Sequence, residues 1–168
     1  RSTRTSSSAA SDVYKRQSTG LGFTYYFEQP ENELLEDISV GAEYDRYEWL
    51  DGDLDSDELE INLIGIRTLA GDFLGLEVEF ERDILQEPFE IIDEVIIPSS
   101  EYKGVDFELE FRSSSNRPVF GEFEIAYGHF YGGKATNAEI DLSWRPSKYF
   151  QLDFEIASTM ARLPQDNF

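Results

Sequence analysis

Residues 105–112 read Val-Asp-Phe-Glu-Leu-Glu-Phe-Arg, with an apolar side chain followed each time by a charged one. An alternation of period two is typical of a β-strand, because successive side chains leave opposite faces of a pleated sheet. Residues 73–81 and 149–156 show the same alternation, with mostly acidic residues between apolar ones. These stretches predict a sheet with one apolar face and one carboxylate face.

The same pattern predicts about eight strands along the chain. They are 20–28, 37–50, about 57–68, 73–81, 105–112, 119–127, 138–145 and 149–156. Short turn-like connections separate them, so consecutive strands are expected to be antiparallel neighbours. The exception is 84–102, where Pro88 and Pro98 interrupt an apolar stretch and we expect a short strand pair or a loop packed over one end. The predicted fold is all-β: an antiparallel up-and-down meander of about eight strands, in a curved open sheet or partial barrel.

The third predicted strand changes its pattern part of the way along. It begins with Leu59 and Ile61 alternating with polar residues, and then becomes apolar on both faces at Ile64 and Ile66. An inserted residue would shift the alternation in this way, so we expect either a β-bulge or a packed apolar patch here.

The first seventeen residues are interpreted as foreign to this fold. Residues 1–17 are polar and Ser-rich, follow neither period, and have no apolar segment of a signal peptide after them. The run 7–17, Ser-Ser-Ala-Ala-Ser-Asp-Val-Tyr-Lys-Arg-Gln, matches the in-frame translation of a transposase sequencing adapter, which indicates a non-native adapter-derived or disordered segment. Because Met160 is the only methionine, we expect 18–168 to be a fragment of one antiparallel β-barrel domain.

Composition limits the classes of function. The 168 residues carry a formal net charge of −21, with no Cys and one His. Such acidity argues against nucleic acid as a partner, because phosphates are bound by Lys and Arg. The absence of Cys rules out disulfides and thiolate metal sites, and no apolar run is long enough for a transmembrane helix. An aromatic content of 14% is too high for an acidic disordered chain.

The carboxylate face and the apolar face fit two kinds of architecture. The predicted polar face carries Glu43, Asp45, Glu60, Glu77, Glu79, Glu81, Asp106, Glu108, Glu110, Glu122, Glu124, Glu139, Asp141, Asp153 and Glu155. In a soluble sandwich or small barrel, the acids would face water and the apolar side would be the core. In a membrane barrel, the apolar side would face lipid and the acids would line the lumen. Both alternate with period two, so periodicity does not distinguish them.

Three features favour the membrane barrel. Several predicted strands have about ten residues or more, enough for a tilted membrane-spanning strand. The strand-turn-strand order suits an up-and-down barrel. Aromatic residues gather toward strand ends, where Tyr and Trp would lie at the membrane interface; they are Tyr25, Tyr26, Tyr47, Trp49, Tyr127, Phe130, Tyr131, Trp144, Tyr149 and Phe150. Ordinary packing between strands would also account for the aromatics.

Candidate binding and catalytic residues are few. Asp51, Asp53, Asp55 and Asp57 have the spacing of a calcium loop. Ser56 and Asn62 replace the Gly and Glu that an EF-hand requires, so a solvated hairpin turn is expected. His129 is the single histidine and has no Cys to complete a zinc site, and it is interpreted as a strand-end residue. Carboxylates are so numerous that any pair could imitate a glycosidase acid and base. We therefore assign no catalytic, cofactor-binding or metal-binding residue.

The C-terminal half contains motifs that carry a family resemblance. They are Asn116-Arg117-Pro118, Phe130-Tyr131-Gly132-Gly133, the run 142–152 with its Trp144-Arg145-Pro146 turn, and Leu163-Pro164 followed by Phe168. With the Pro88 and Pro98 block, this part resembles the uncharacterised C-terminal outer-membrane β-barrel domain of bacterial surface proteins that have an N-terminal family 9-like carbohydrate-binding domain. The resemblance covers about 56–168, and the sequence departs from the pattern after Phe154.

The expected function combines the residue pattern with this resemblance. The first hypothesis is an outer-membrane β-barrel module, either a membrane anchor or channel-like, of unknown cargo and not an enzyme. Its expected partners are outer-membrane lipid and, through an upstream domain that the resemblance implies, a saccharide. The alternative is a soluble acidic β-sandwich or calycin-like barrel that binds a sugar or an apolar ligand. An enzyme such as a glycosidase ranks last.

Overall fold

The computed structural model describes residues 16–92 and 95–163, and they form ten strands. The strands are β1 (Arg16–Glu28), β2 (Leu35–Trp49), β3 (Leu54–Thr68), β4 (Phe73–Ile84), β5 (Phe89–Ile92), β6 (Val95–Ile97), β7 (Glu101–Arg112), β8 (Val119–Phe130), β9 (Gly133–Ser147) and β10 (Phe150–Arg162). Within these ranges, no helix is long and apolar enough to cross a membrane.

Eight of the strands form one antiparallel sheet in the order β1-β2-β3-β4-β7-β8-β9-β10. Each strand pairs with its neighbour along the chain, except that β4 pairs with β7 across the connecting segment. The sheet does not close into a barrel, and β1 and β10 are its edges. The predicted all-β meander of eight strands is therefore confirmed. The segment 84–102 contains the small β5–β6 hairpin, one of the two arrangements expected there.

Two sequence interpretations fall wholly or partly outside the described residues. Of the predicted foreign segment 1–17, residues 1–15 lie outside, while Arg16 and Gln17 begin β1 opposite Trp49 and Glu48. Residues 164–168 also lie outside, and they include Pro164 and Phe168 of the C-terminal motif on which the family resemblance partly rests.

The apolar patch in β3 contains a β-bulge. Asn62 lies opposite Glu77, but the next residue pair is Ile64 with Leu76, so Leu63 is the extra residue. The insertion moves Ile64 and Ile66 onto the same face as Ile61, because side chains alternate with period two. The bulge thus keeps the apolar face continuous along β3 where the sequence pattern changes.

The turn between β8 and β9 anchors the β5–β6 segment. Tyr131 and Gly132 have positive φ values of 44° and 82°, as the tight type I′ hairpin requires. The Tyr131 ring makes edge-to-face contacts with Phe89 and Tyr102, each with ring centroids 5.3 Å apart. In the same segment Ile97 is 1% exposed, the most completely buried hydrophobic side chain of the described residues. The segment therefore packs against one end of the sheet, which we call the lower end.

At the opposite, upper end, Asp72 joins two neighbouring connections. It lies in the β3–β4 turn, and Arg117 of the β7–β8 loop donates to both of its carboxylate oxygens, with Nη2 2.7 Å from Oδ2. The backbone N–H of Ser114 donates to Asp72 Oδ1 at 2.9 Å. These bonds hold the pKa of Asp72 at about 2, well below its ordinary 3.8, with the Arg117 contact as the largest cause.

We expect Asp72→Asn to lower the free energy of unfolding, because it removes an ion pair between the two connections. A depressed pKa gives a stabilisation that is complete above about pH 4 and is lost as the pH falls through about 2. The difference between wild type and Asp72→Asn should therefore shrink over that range. Urea unfolding, followed by circular dichroism, measures it.

Asp51→Asn is the control, since among the residues that the structure describes this carboxylate accepts only the N–H of Asp53, within its own turn, at 3.2 Å. Arg117→Lys should produce part of the loss, because an ammonium group cannot reproduce the paired guanidinium bonds. A wild-type advantage over Asp72→Asn that persists unchanged at pH 2 would contradict this role.

Candidate functional site

The sheet register brings the predicted acidic residues onto a single face, which we call the carboxylate face. Glu43 lies opposite Glu60, Glu60 opposite Glu79, and Glu79 opposite Asp106, in an unbroken row across β2, β3, β4 and β7. Glu58, which the sequence analysis left out, belongs to the next row, opposite both Asp45 and Glu81. Like charges directly opposite each other repel, so this face requires water or cations between its side chains.

Rows of acids continue on the C-terminal strands. Glu110 lies opposite Glu124, and Glu124 lies opposite Glu139. The principal cation here is Arg112, whose Nε donates to Glu122 Oε2 at 3.0 Å and which also pairs with Glu110. One guanidinium neutralises only a small part of these rows, so the C-terminal half of the face also remains strongly negative.

The opposite face, which we call the apolar face, is largely uncovered. Val78 and Ile97 are the only hydrophobic residues that are buried in the described part of the chain, and Val78 alone belongs to this face. Side chains remain exposed on the middle strands as well as at the edges, with Phe107 52% exposed in β7 and Leu21 80% exposed in β1. Among the described residues, these side chains are therefore not enclosed as a core.

On β7, in the middle of the sheet, the two faces differ in exposure in the reverse of the usual sense. Along β7, the apolar Val105, Phe107 and Leu109 are exposed, while Asp106 and Glu108 between them are half-buried. Side chains crowd together on the concave side of a curved sheet and spread apart on the convex side. We infer that the carboxylate face is the concave side and the apolar face is the convex side.

Aromatic and cationic side chains border the apolar face, but only some of the aromatics expected there lie on it. Near the upper end, Trp144 and Phe150 contact each other with centroids 6.0 Å apart. Near the lower end, Lys134 Nζ donates to the Tyr127 hydroxyl at 3.1 Å. By register, Tyr26, Tyr47, Trp49 and Phe130 lie on the carboxylate face instead. Sequence position places these aromatics near strand ends, and the alternation along each strand decides which face they join.

The aspartates of the possible calcium loop do not converge. Asp51 and Asp53 lie in the β2–β3 turn, where Asp51 accepts the N–H of Asp53. Asp55 lies in β3, where its Oδ2 is 3.0 Å from Arg16 Nη1. Asp57 accepts Nε of Arg82 at 2.9 Å. The last two carboxylates are thus engaged by arginines at separate places, and the segment is built as a hairpin turn followed by a strand.

His129 lies at the end of β8, as expected from its position beside the turn. Its Nε2 accepts the backbone N–H of Gly132 at 3.0 Å, so the ring closes the turn. Another group was not foreseen: Glu139, Asp141 and Glu155, all exposed, each have a carboxylate oxygen within 4.8 Å of the others. These residues come from β9 and β10, and only the register between those strands brings them together.

Comparison with protein-family models, curated proteins and solved structures finds no match for this chain. The resemblance to the barrel domain of carbohydrate-binding surface proteins therefore stays a prediction.

We expect Glu79→Gln to raise the free energy of unfolding at low ionic strength, because Glu79 lies directly opposite both Glu60 and Asp106. Removing one charge from such a row should stabilise the sheet by roughly 0.2–1 kcal/mol. The gain should largely disappear in about 1 M salt, where the screening length is only about 3 Å. Equilibrium unfolding at the two salt concentrations measures it.

Glu31→Gln is the matched control, because Glu31 is an exposed acid in the β1–β2 connection. It should change stability little at either salt concentration. A Glu79→Gln variant that is less stable than wild type at low salt would show that repulsion along the row is not what limits the stability of the sheet.

Proposed function

We propose that this chain forms part of the wall of an outer-membrane β-barrel, which serves as a membrane anchor or a channel and performs no catalysis. The observation that carries the proposal is the largely uncovered apolar face of the sheet. Keeping apolar surface in water costs about 25 cal/mol per Å². Soluble monomers rarely expose contiguous apolar patches of more than a few hundred Å². Contact with lipid would remove that cost.

The strand dimensions suit this environment. The strands of the main sheet have 12 to 15 residues, and about 9–11 residues are enough for a tilted membrane-spanning strand. On β4, the apolar stretch extends from Leu74 to Phe80, and Arg82 follows on the same face, where the interface would begin. Membrane barrels have a comparable apolar band bordered by aromatic and polar residues.

The carboxylate face supports a water-filled lumen. Rows such as Glu43, Glu60 and Glu79 are tolerable only where water and counterions reach them. A lumen lined in this way would attract cations and repel anions through its field alone. If the complete barrel conducts, it is therefore expected to prefer cations. If it serves as an anchor, the same face keeps its interior hydrated.

The two open edges support a barrel of more than eight strands. In lipid, the backbone groups of β1 and β10 must find partners, because edges exposed in the hydrocarbon are not tolerated. Closing these eight strands on themselves would give an interior that is just filled by side chains. Such an interior would leave the carboxylate rows without solvent. Additional strands would satisfy both the edges and the acids.

The soluble alternative lacks a comparable observation. A sandwich or calycin-like barrel would need a second layer to cover the apolar face. In the described ranges the other sheet is the small β5–β6 hairpin, which packs at the lower end. Saccharide binding enters the proposal only through the family resemblance, and it would belong to an upstream domain.

The two tryptophans provide a test, because they lie on opposite faces. Trp144 is 47% exposed on the apolar face, whereas Trp49 lies on the carboxylate face with Arg16 stacked on its ring at 4.4 Å. We expect phospholipids brominated near the headgroup end of the acyl chain to quench Trp144 severalfold. They should leave Trp49 nearly unchanged. Trp49→Phe and Trp144→Phe each isolate one emission in the full chain.

Aqueous acrylamide gives the complementary measurement. It should quench Trp49 more strongly than Trp144 after reconstitution, because the lumen is hydrated and the lipid is not. If neither tryptophan responds to brominated lipid and the chain remains monomeric in buffer without detergent, the membrane proposal is wrong and the soluble alternative replaces it.

A further inference from the structure

The pairing of β7 with β8 stops partway along the two strands. Their residue pairs extend from Arg112 opposite Glu122 to Phe107 opposite Tyr127. Below that point both strands continue, β7 to Glu101 and β8 to Phe130, without further residue pairs. The neighbouring β4–β7 and β8–β9 ladders continue to the lower end. We call this gap, formed by residues 104–106 and 128–129, the seam.

Side chains occupy the seam in place of a regular ladder. The carboxylate Oδ1 of Asp106 accepts the backbone N–H of His129 at 2.5 Å. A Cβ atom on Gly104 would collide with the His129 side chain, and one on Gly128 would collide with the Asp106 carboxylate. Glycine at both positions therefore makes room for Asp106 and His129 between the strands. The arrangement is built in by the sequence at these positions.

Cavities lie against both sides of the seam. The larger, of about 740 Å³, is a groove on the apolar face, and a smaller one of about 90 Å³ lies toward the carboxylate face. Glu81, Gly104 and His129 line both. The seam therefore forms a thin wall between the two faces, and it deepens the groove on the convex side.

The groove has an apolar floor and a cationic lower rim. Phe80, Val105 and Phe107 form part of the floor, while Lys103 and Lys134 lie at the rim. The Lys134 ammonium donates to the hydroxyl of Tyr127, and Lys103 Nζ forms an ion pair with Glu101 at 2.9 Å at the exposed start of β7. Arg82, which is paired with Asp57, adds a third cation to the lining of the groove. In a chain with a net charge of −21, this grouping of cations beside an apolar groove is complementary to an anion that carries a hydrocarbon chain.

We propose that this groove binds an anionic phospholipid of the surrounding membrane, with its phosphate at Lys103 and Lys134 and an acyl chain along Phe80, Val105 and Phe107. The inference rests on the proposed membrane location. An ammonium group near a membrane surface attracts anionic lipid, and the floor adds apolar contact. Free phosphate would gain nothing from the floor and would be repelled by the acidic chain. An anionic phospholipid therefore matches both parts of the groove, because its phosphate suits the lysines and its acyl chain suits the apolar floor.

The test compares phosphatidylglycerol with phosphatidylcholine on the full chain in detergent, by native mass spectrometry of the retained lipid. Wild type should retain phosphatidylglycerol preferentially. The double variant Lys103→Gln/Lys134→Gln should lose that preference, with affinity lower by on the order of tenfold. Lys148→Gln is the control, because Lys148 lies in the β9–β10 turn at the upper end and stacks on Tyr149. It should behave as wild type.

The outcomes separate this inference from the proposed function. Quenching of Trp144 by brominated lipid, without any preference for phosphatidylglycerol, would overturn the lipid site and leave the membrane barrel intact. If Lys148→Gln abolishes the preference as fully as the double variant does, the lipid is attracted by positive charge anywhere on the chain. That result would also overturn the site. If equimolar inorganic phosphate displaces the lipid, the site binds a free anion, and the proposed lipid site is wrong. Failure of the chain to enter lipid at all would overturn both proposals.

Discussion

The rows of carboxylates across the sheet constrain the rest of the structure. Acids that lie directly opposite one another, as Glu60 and Glu79 do, remain ionised only where water or cations reach them. The carboxylate face is therefore favoured where water or counterions lie between its acids, and the apolar side chains of the same strands lie on the opposite face. In the described ranges no second layer covers that apolar face, because the other sheet is only the β5–β6 hairpin.

Three local features of the sheet have identifiable causes. The bulge at Leu63 keeps apolar residues on one face where the sequence inserts an extra residue. The Tyr131–Gly132 turn adopts positive φ values and brings an aromatic ring to the lower end, where the β5–β6 segment packs. At the seam, two glycines leave space that Asp106 and His129 fill. The first two preserve the separation of the two faces, whereas the seam brings them closest together.

The seam also relates the two proposals to each other. In a hydrocarbon environment, an interrupted ladder is tolerated only where other polar groups or water satisfy the backbone. Asp106 satisfies His129 N–H in this way, and the interruption lies at the lower end, near Lys103 and Lys134. An anionic headgroup at those lysines would cover the interruption on the convex side. A membrane barrel with a specific lipid at its rim therefore accounts for the groove, the cations and the broken pairing together.

The alternation of apolar and polar residues determined the strands, because a period of two is visible in adjacent residues and depends on no distant contact. The eight strands, the pair of opposed faces and the irregularity near Ile64 were all predictable for that reason. Register was not, since it depends on which residues of separate strands meet. Only the tertiary structure could place Glu58 opposite Asp45 and Glu81, join Asp55 and Asp57 to different arginines, and gather Lys103 and Lys134 beside the seam. The exposure of the apolar face was likewise a tertiary result, because curvature and the absence of a covering layer in the described ranges are properties of the whole sheet.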